Sequence, residues 1–242
     1  MSGPEWAVPY ITLRDGEEAV PESMLSVRYS RSGKPSGICY EYELPQDRDD
    51  RGVLWTRTSQ FRSPVTHRPT GKPLFAAMHP SRQREMMSAL RCQVCGKAAS
   101  RTEAGWLFLE MADGKDAEGI RTGQPPVCLE HAVAGIERCR HLAKRGYVLV
   151  RSRVPRLHGV VGVVCQEVDC RLVCLPPPTG PQGQDIVIPY TRTELTPWVL
   201  ASQLVRRLTG VTVVDIHREL AAAGEPVRPA AAPSPARSRG TR

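Results

Sequence analysis

Cys92 and Cys95 stand three positions apart in "RCQVCGKAASRTEAGWLFLE", and Cys128 and His131 repeat that spacing in "PPVCLEHAVAGIERCRHL" after an interval of 32 residues. Thiolates and imidazoles are the side chains a tetrahedral zinc ion prefers, and a pair separated by two residues chelates one ion without strain. Gly96 follows the first pair, where a knuckle turn needs a small residue. The second pair opens a predicted helix, so Cys128 and His131 fall on one face, and the helix dipole favours a thiolate there. The four residues predict one structural Zn2+ per chain. Knuckle, then hairpin, then ligand pair at a helix N-terminus is the order of a treble clef.

With four protein ligands the site has no open position for water, which a catalytic zinc requires. Treble clefs also host nucleases of the HNH type, in which a hairpin histidine activates water. The stretch "RTEAGWLFLEMADGKDAEGIRTGQPPV" contains no histidine, and Glu103, Glu110 and Asp113 have no histidine beside them. A degenerate, HNH-like metal-dependent nuclease is therefore the alternative and not the leading reading. There is no glycine-rich phosphate loop with Lys-Ser/Thr and no G-x-S-x-G elbow. Cys39, His67 and His79 read as structural residues. Cys139 lies eleven positions beyond Cys128, roughly 16 Å along a continuous helix, so it reads as core and not as a ligand, and His141 reads as a surface residue.

Cys165, Cys170 and Cys174, with His158 nearby, form a second thiol cluster in sequence. A hairpin turn at Val168-Asp169 would set Cys165 opposite Leu172 and place all three thiols on one face. The cluster then reads either as small buried residues of a β core or as a second metal site.

These residues need elements to hold them. Residues 1–22 read as an extended N-terminal segment and 23–79 as β-rich, with short runs at "SMLSVRYS", "GICYEYEL", "GVLWTRTS" and "PLFAAM". A treble-clef-like module is expected over 80–146, opened by a helix in "HPSRQREMMSALRC" with Ser81 as its cap. The module closes with one helix in "VCLEHAVAGIERCRHLAKRG". Residues 147–224 read as β-rich, then as a helix over "TPWVLASQLVRRLTG" and a strand over "VTVVDI". Residues 225–242 read as a disordered basic tail. The fold class expected is α+β: a zinc module packed with β-rich flanking segments and a C-terminal helix–strand unit.

Composition narrows the class further. A hydrophobic content of 40% and a charged content of 24% are those of an ordinary globular chain. No apolar run approaches a membrane helix, and the N-terminus shows no secretory signal, so the expected location is cytoplasmic. Eight cysteines then read as ligands or buried thiols and not as disulfides. The net charge of +8 invites nucleic acid as a partner. Yet arginine far outnumbers lysine, as a GC-rich genome dictates, and the charge is spread along the chain. The partner is read as nucleic acid or a protein, with a pure protein–protein adaptor as a further alternative.

Three stretches, "LRCQVCGKAASRTEAGWLFL", "PPVCLEHAVAGIERCRHL" and "WVLASQLVRRLTGVTVVD", resemble a group of proteins from high-GC actinobacteria. The resemblance covers residues 50–218. It implies one coherent protein carrying a zinc module, in which the second chelating pair, often C-x2-C in the group, is Cys128-x2-His131 here. The group brings no assigned activity.

Overall fold

The computed structural model describes residues 8–112, 116–175 and 187–224 of the chain. It is mixed α+β, mostly strand, with four α-helices among the described residues. Two long antiparallel strands carry it: β9 (Tyr147–Val168) and β12 (Val199–Val213), in register from Val199 opposite Val164 to Val213 opposite Val150. The other edge of β9 is shared by β7 (Gly105–Met111), β11 (Ile188–Pro189) and β10 (Arg171–Leu175) in turn. The short strand β6 (Arg101–Thr102) pairs with β7. The other edge of β12 takes β4 (Leu54–Trp55) in parallel at Leu200–Ala201 and β8 (Arg121–Thr122) at Arg206–Arg207.

Between β4 and β8 a side chain closes the ladder. Gln83, in α1 (Pro80–Ala89), accepts from the Leu204 N–H at 2.8 Å and donates to the Leu204 carbonyl at 2.9 Å. Its amide also donates to the Gly123 carbonyl at 2.7 Å. A buried edge strand with unpaired backbone groups would be costly, and the amide reproduces the donor–acceptor pattern of a neighbouring strand. Arg206 fastens the same helix from β12. Its guanidinium donates to the Met87 and Ser88 carbonyls, in the last turn of α1, and to Pro155.

Both faces of the sheet are covered. Leu107, Leu109 and Leu149 meet α2 (Leu129–Arg138) and α4 (Ile216–Ala222), while Phe108 and Val150 pack with Leu208 in a separate cluster. A sheet buried on two sides reads as apolar runs and not as alternation. This explains the main departure from expectation: "TPWVLASQLVRRLTG" is not a helix but strand β12, preceded by a short 3-10 turn at Thr196–Trp198. Register shifts between Ala201 and Gln203 and between Val205 and Arg206 break the two-residue period. Val199, Ala201 and Leu204 consequently share one cluster, and the apolar spacing of three and four imitates a helix. The C-terminal unit is strand then helix, the reverse of the expected order.

Two further expectations change. His79, not Ser81, caps α1, its Nδ1 accepting from the Arg82 N–H at 3.4 Å. The single helix expected after Cys128 breaks at Cys139, which is extended (φ −78, ψ 109), into α2 and α3 (Arg140–Arg145). Asp113, the "PPPTGPQGQ" loop and the predicted 225–242 tail lie outside the described residues. Among the described residues no helix is long and apolar enough to cross a membrane.

The N-terminal part is held by strands β1 (Thr12–Arg14) and β5 (Pro73–Met78) in one small sheet, and β2 (Leu25–Tyr29) and β3 (Pro35–Tyr40) in another. A fully buried ion pair locks the first of these to α1. Arg82 donates to both Glu17 oxygens at 2.6 and 2.7 Å and to the Thr12 carbonyl at 2.8 Å, and Glu17 also accepts from the Arg14 N–H at 2.8 Å. Burial pushes the Glu17 carboxyl up, but the hydrogen bonds from Arg82 and Arg14 outweigh it, and its pKa lies below the ordinary value.

A carboxyl held below its unfolded pKa of about 4.3 stabilises the fold fully above that pH and loses its contribution as pH falls through the lower, folded value. Glu17→Gln leaves Arg82 buried without a counter-charge, at a cost of about 3–5 kcal/mol near pH 7. Urea unfolding midpoints should show that gap narrowing as pH is lowered from 5 to 3. A gap unchanged across this window would mean that the pair does not stabilise the fold.

Candidate metal centre

The segment after α1 is built to turn tightly. Leu90 ends the helix in the left-handed region (φ 51). The Gly96 N–H then bonds the Cys92 carbonyl at 2.8 Å, and the Cys92 N–H bonds the Lys97 carbonyl at 2.8 Å. Gly96 sits at φ +72, with the Tyr10 ring and the Met86 sulfur just under 4 Å from where a Cβ would lie. Glycine is needed there chiefly for the backbone angle. The turn aims Cys92 and Cys95 to one side.

The other two residues arrive on a segment held between the knuckle and β7. The Gln93 N–H bonds the Pro126 carbonyl at 3.0 Å, the Val127 N–H bonds Leu107 at 2.9 Å, and the Ser100 N–H bonds Val127 at 3.0 Å. Residues 126–127 are thereby fixed between the knuckle and β7. Cys128 then takes the N-cap position of α2, and His131 lies in the first turn. α2 can approach β7 because Gly135 lies over Leu109; a Cβ there would come within 2.9 Å of a Leu109 methyl.

The four ligand atoms of Cys92, Cys95, Cys128 and His131 all fall within 4.8 Å of one another, and they are the only such group among the described residues. Ions bound at about 2.0–2.3 Å in a tetrahedron space their ligand atoms roughly 3.5–3.8 Å apart, so the cluster needs little adjustment to hold one. Cys92 and His131 are buried, and Cys95 and Cys128 are partly so. The imidazole presents Nδ1 to the Cys128 sulfur at 2.8 Å. Without a metal the thiols must share protons. A hydrogen bond from Cys128 draws the Cys92 thiol down to about 5, against the effect of burial. That same hydrogen bond, with burial and the neighbouring thiolate, pushes Cys128 up, and burial raises Cys95. One site holding thiols driven in opposite directions is a site made for a cation that lets all three ionise. The donor set, three thiolates and one imidazole, fits zinc.

Glu103 lies in the β6–β7 turn and Glu110 on β7, and neither joins the cluster. Cys139 stays outside it, at the break between α2 and α3. His79 is committed to capping α1 and to the Ser59 carbonyl at 3.1 Å. Cys39 lies on β3, with its thiol on the Ser26 carbonyl.

The second thiol cluster is not what the sequence suggested. Cys165 stands directly opposite Cys174, not Leu172, and the two are joined as a disulfide. The turn is Asp169–Cys170, one residue later than expected, with both residues at positive φ (50 and 62). This is the pattern of a type I′ hairpin, whose twist matches that of the flanking strands. Cys170 is left exposed at its tip, and the three sulfurs form neither a metal cluster nor a set of free thiols. Sequence reasoning also missed Tyr10 and Ile11, whose N–H groups bond the Val94 and Gln93 carbonyls at 3.1 and 3.3 Å. Only the isolated apolar run "WAVPYITL" hints at that anchoring.

Two measurements check these assignments. Cys92→Ser should lower bound metal, by elemental analysis, from one ion per chain to a small fraction, and the thermal midpoint by roughly 10 °C, as a loss of several kcal/mol implies for a chain of this length; a metal-free wild type with an unchanged melting curve would end the assignment. After denaturation in chelator, thiol titration should count six groups before reduction and eight after it, and eight at the outset would remove the disulfide. No protein-family model matches the chain, and neither a curated protein nor a solved structure proves similar to it, so the site is read from its own geometry.

Proposed function

We propose that the protein is a non-enzymatic, zinc-stabilised binding protein that acts in the cytoplasm on nucleic acid or a partner protein. The observation that carries this reading is the closed donor set: three thiols and an imidazole within 4.8 Å, supplied by two segments far apart in sequence. Four protein ligands satisfy a tetrahedral zinc and leave it no position for water. The order of elements, a knuckle followed by the β6–β7 hairpin and a ligand pair at the N-terminus of α2, supports the treble-clef description. Membership of the actinobacterial group that the three sequence stretches resemble belongs to the same proposal.

The metal then has a mechanical role. It joins the knuckle, to which residues 10–11 are bonded, to the strand segment 126–127 and the start of α2. Backbone hydrogen bonds such as Gln93 to Pro126 already link these pieces, and one ion adds a side-chain cross-link among them. The Cys165–Cys174 disulfide is the feature that favours a less reducing compartment, and thiol counting on protein alkylated within the cell decides between the two.

Cobalt substitution tests the structural role. The Co2+ protein should show the absorption of a tetrahedral, three-thiolate site, and excess azide should leave that spectrum unchanged. A spectrum that shifts with azide would reveal an exchangeable position, and the non-enzymatic reading would fall.

A further inference from the structure

Charge along the N-terminal third is sharply divided. Between Asp50 and Glu85 the sequence has seven basic residues and no acidic one; averaged over residues 1–80 this asymmetry vanishes. The structure sorts the seven. Arg57 and Arg82 pair with Asp47 and Glu17. Arg51 and Arg84 lie over the Tyr190 and Trp55 rings, each at 4.6 Å. Arg62, Arg68 and Lys72 are left on the arm formed by β5 and the turn before it. Arg62 and Lys72 are exposed. The Arg62 guanidinium lies 5.8 Å from the Tyr10 ring, and Arg68 reaches the Cys95 carbonyl at 3.5 Å.

Aromatic surface accompanies these cations. Phe61 is 51% exposed and Phe75 70%. Phe75 is displayed by an irregularity: Leu13 pairs with Leu74 but Thr12 pairs with Met78, so residues 75–77 bulge from the two-stranded ladder. Beside them Tyr10, Arg14, Arg68 and Thr70 line an open cleft of about 300 Å³. Three carboxylates border it: Glu85 accepts from the Tyr10 hydroxyl at 3.3 Å, Asp15 is exposed at the end of β1, and exposed Glu18 is bonded through its backbone to Ser59.

We propose that this arm, centred on Tyr10, Phe61, Arg62, Arg68, Lys72 and Phe75, is a binding surface for single-stranded nucleic acid, a deepening that rests on the binding-protein reading above. Cations without carboxylate partners track phosphates, and exposed rings offer faces on which unpaired bases stack. The combination favours a single strand over a duplex, whose bases are already stacked. Phosphate charge and base faces are common to RNA and DNA, so strands of both kinds are expected to bind. The arm is bonded to the knuckle through Tyr10 and Arg68, so the metal centre sets its position.

The test is fluorescence anisotropy on the full chain, with labelled RNA and DNA single strands of about twelve nucleotides and the matching duplex, at several salt concentrations. Both single strands should bind within a few-fold of each other and more tightly than the duplex. The triple variant Arg62→Ala, Arg68→Ala, Lys72→Ala should weaken binding at least tenfold and reduce the salt slope by about two. Phe75→Ala alone should weaken it about tenfold and leave the salt slope unchanged. Each variant should retain one zinc per chain, which separates loss of the surface from loss of the fold. The proposal is overturned if the triple variant binds as the wild type does, or if the duplex binds as tightly as the single strands. It is equally overturned if binding is lost only when Arg228, Arg237, Arg239 and Arg242 are replaced by alanine, or if the wild type does not bind near physiological salt. Zinc present without binding removes this surface alone, whereas a chain without zinc removes the metal reading whatever its binding.

Discussion

Three thiols and one imidazole brought within 4.8 Å impose a constraint that the neighbouring structure is arranged to meet. Packed this closely, the Cys92 thiol is drawn down by the hydrogen bond from Cys128 and by nearby backbone N–H groups, while Cys128 is pushed up. A divalent cation removes that conflict, because each sulfur can then ionise against the same positive charge. What depends on it is out of proportion to its size. The knuckle carries residues 10–11 on its carbonyls, the 126–127 segment bridges it to β7, and α2 starts from Cys128. These are short pieces with little apolar area of their own, and short pieces gain most from a cross-link.

The remainder of the molecule is secured by a different device: polar side chains that take the place of backbone partners. Gln83 stands in for a strand beside Leu204, and Arg206 takes the last carbonyls of α1. Arg151 spans the Gly105 carbonyl, Ser100 and Glu219, which ties α4 to the sheet. Each contact satisfies a buried donor or acceptor that would otherwise cost free energy. Each also fixes one helix to one strand at one register, which apolar packing alone specifies less sharply.

This division decides what could be read from the sequence. The candidate metal ligands were legible because chelation demands particular side chains at fixed spacing, and Cys92, Cys95, Cys128 and His131 stand together as that spacing implies. The short N-terminal strands were legible from their β-branched and aromatic runs between turn residues. β12 was not, because two register shifts and burial on both faces converted its apolar spacing into that of a helix, and local pattern carries no knowledge of a neighbouring sheet. The Cys165–Cys174 pairing failed for a smaller reason. A one-residue difference in turn placement, Asp169–Cys170 instead of Val168–Asp169, changes every cross-strand partner. Gln83 and Arg206 gave no sign of their roles, since nothing local distinguishes a fastening side chain from a solvated one.

Arginine usage illustrates the limits of a compositional argument. Arginine far outnumbers lysine, and that number says nothing of where each one is placed. Arg82, Arg151 and Arg206 are buried at points where one group must meet two or three acceptors in different directions. Arg82 binds both oxygens of Glu17 and a backbone carbonyl, and Arg206 binds three carbonyls with no carboxylate at all. Burial lowers the Arg206 pKa, yet a guanidinium begins so high that it stays charged near neutral pH, where a lysine in the same place would tend to lose its proton. Part of the net charge of +8 is therefore interior and screened by its own hydrogen bonds. The charge a partner meets is set instead by which arginines lack such bonds, so the surface field has to be read residue by residue and not from the total.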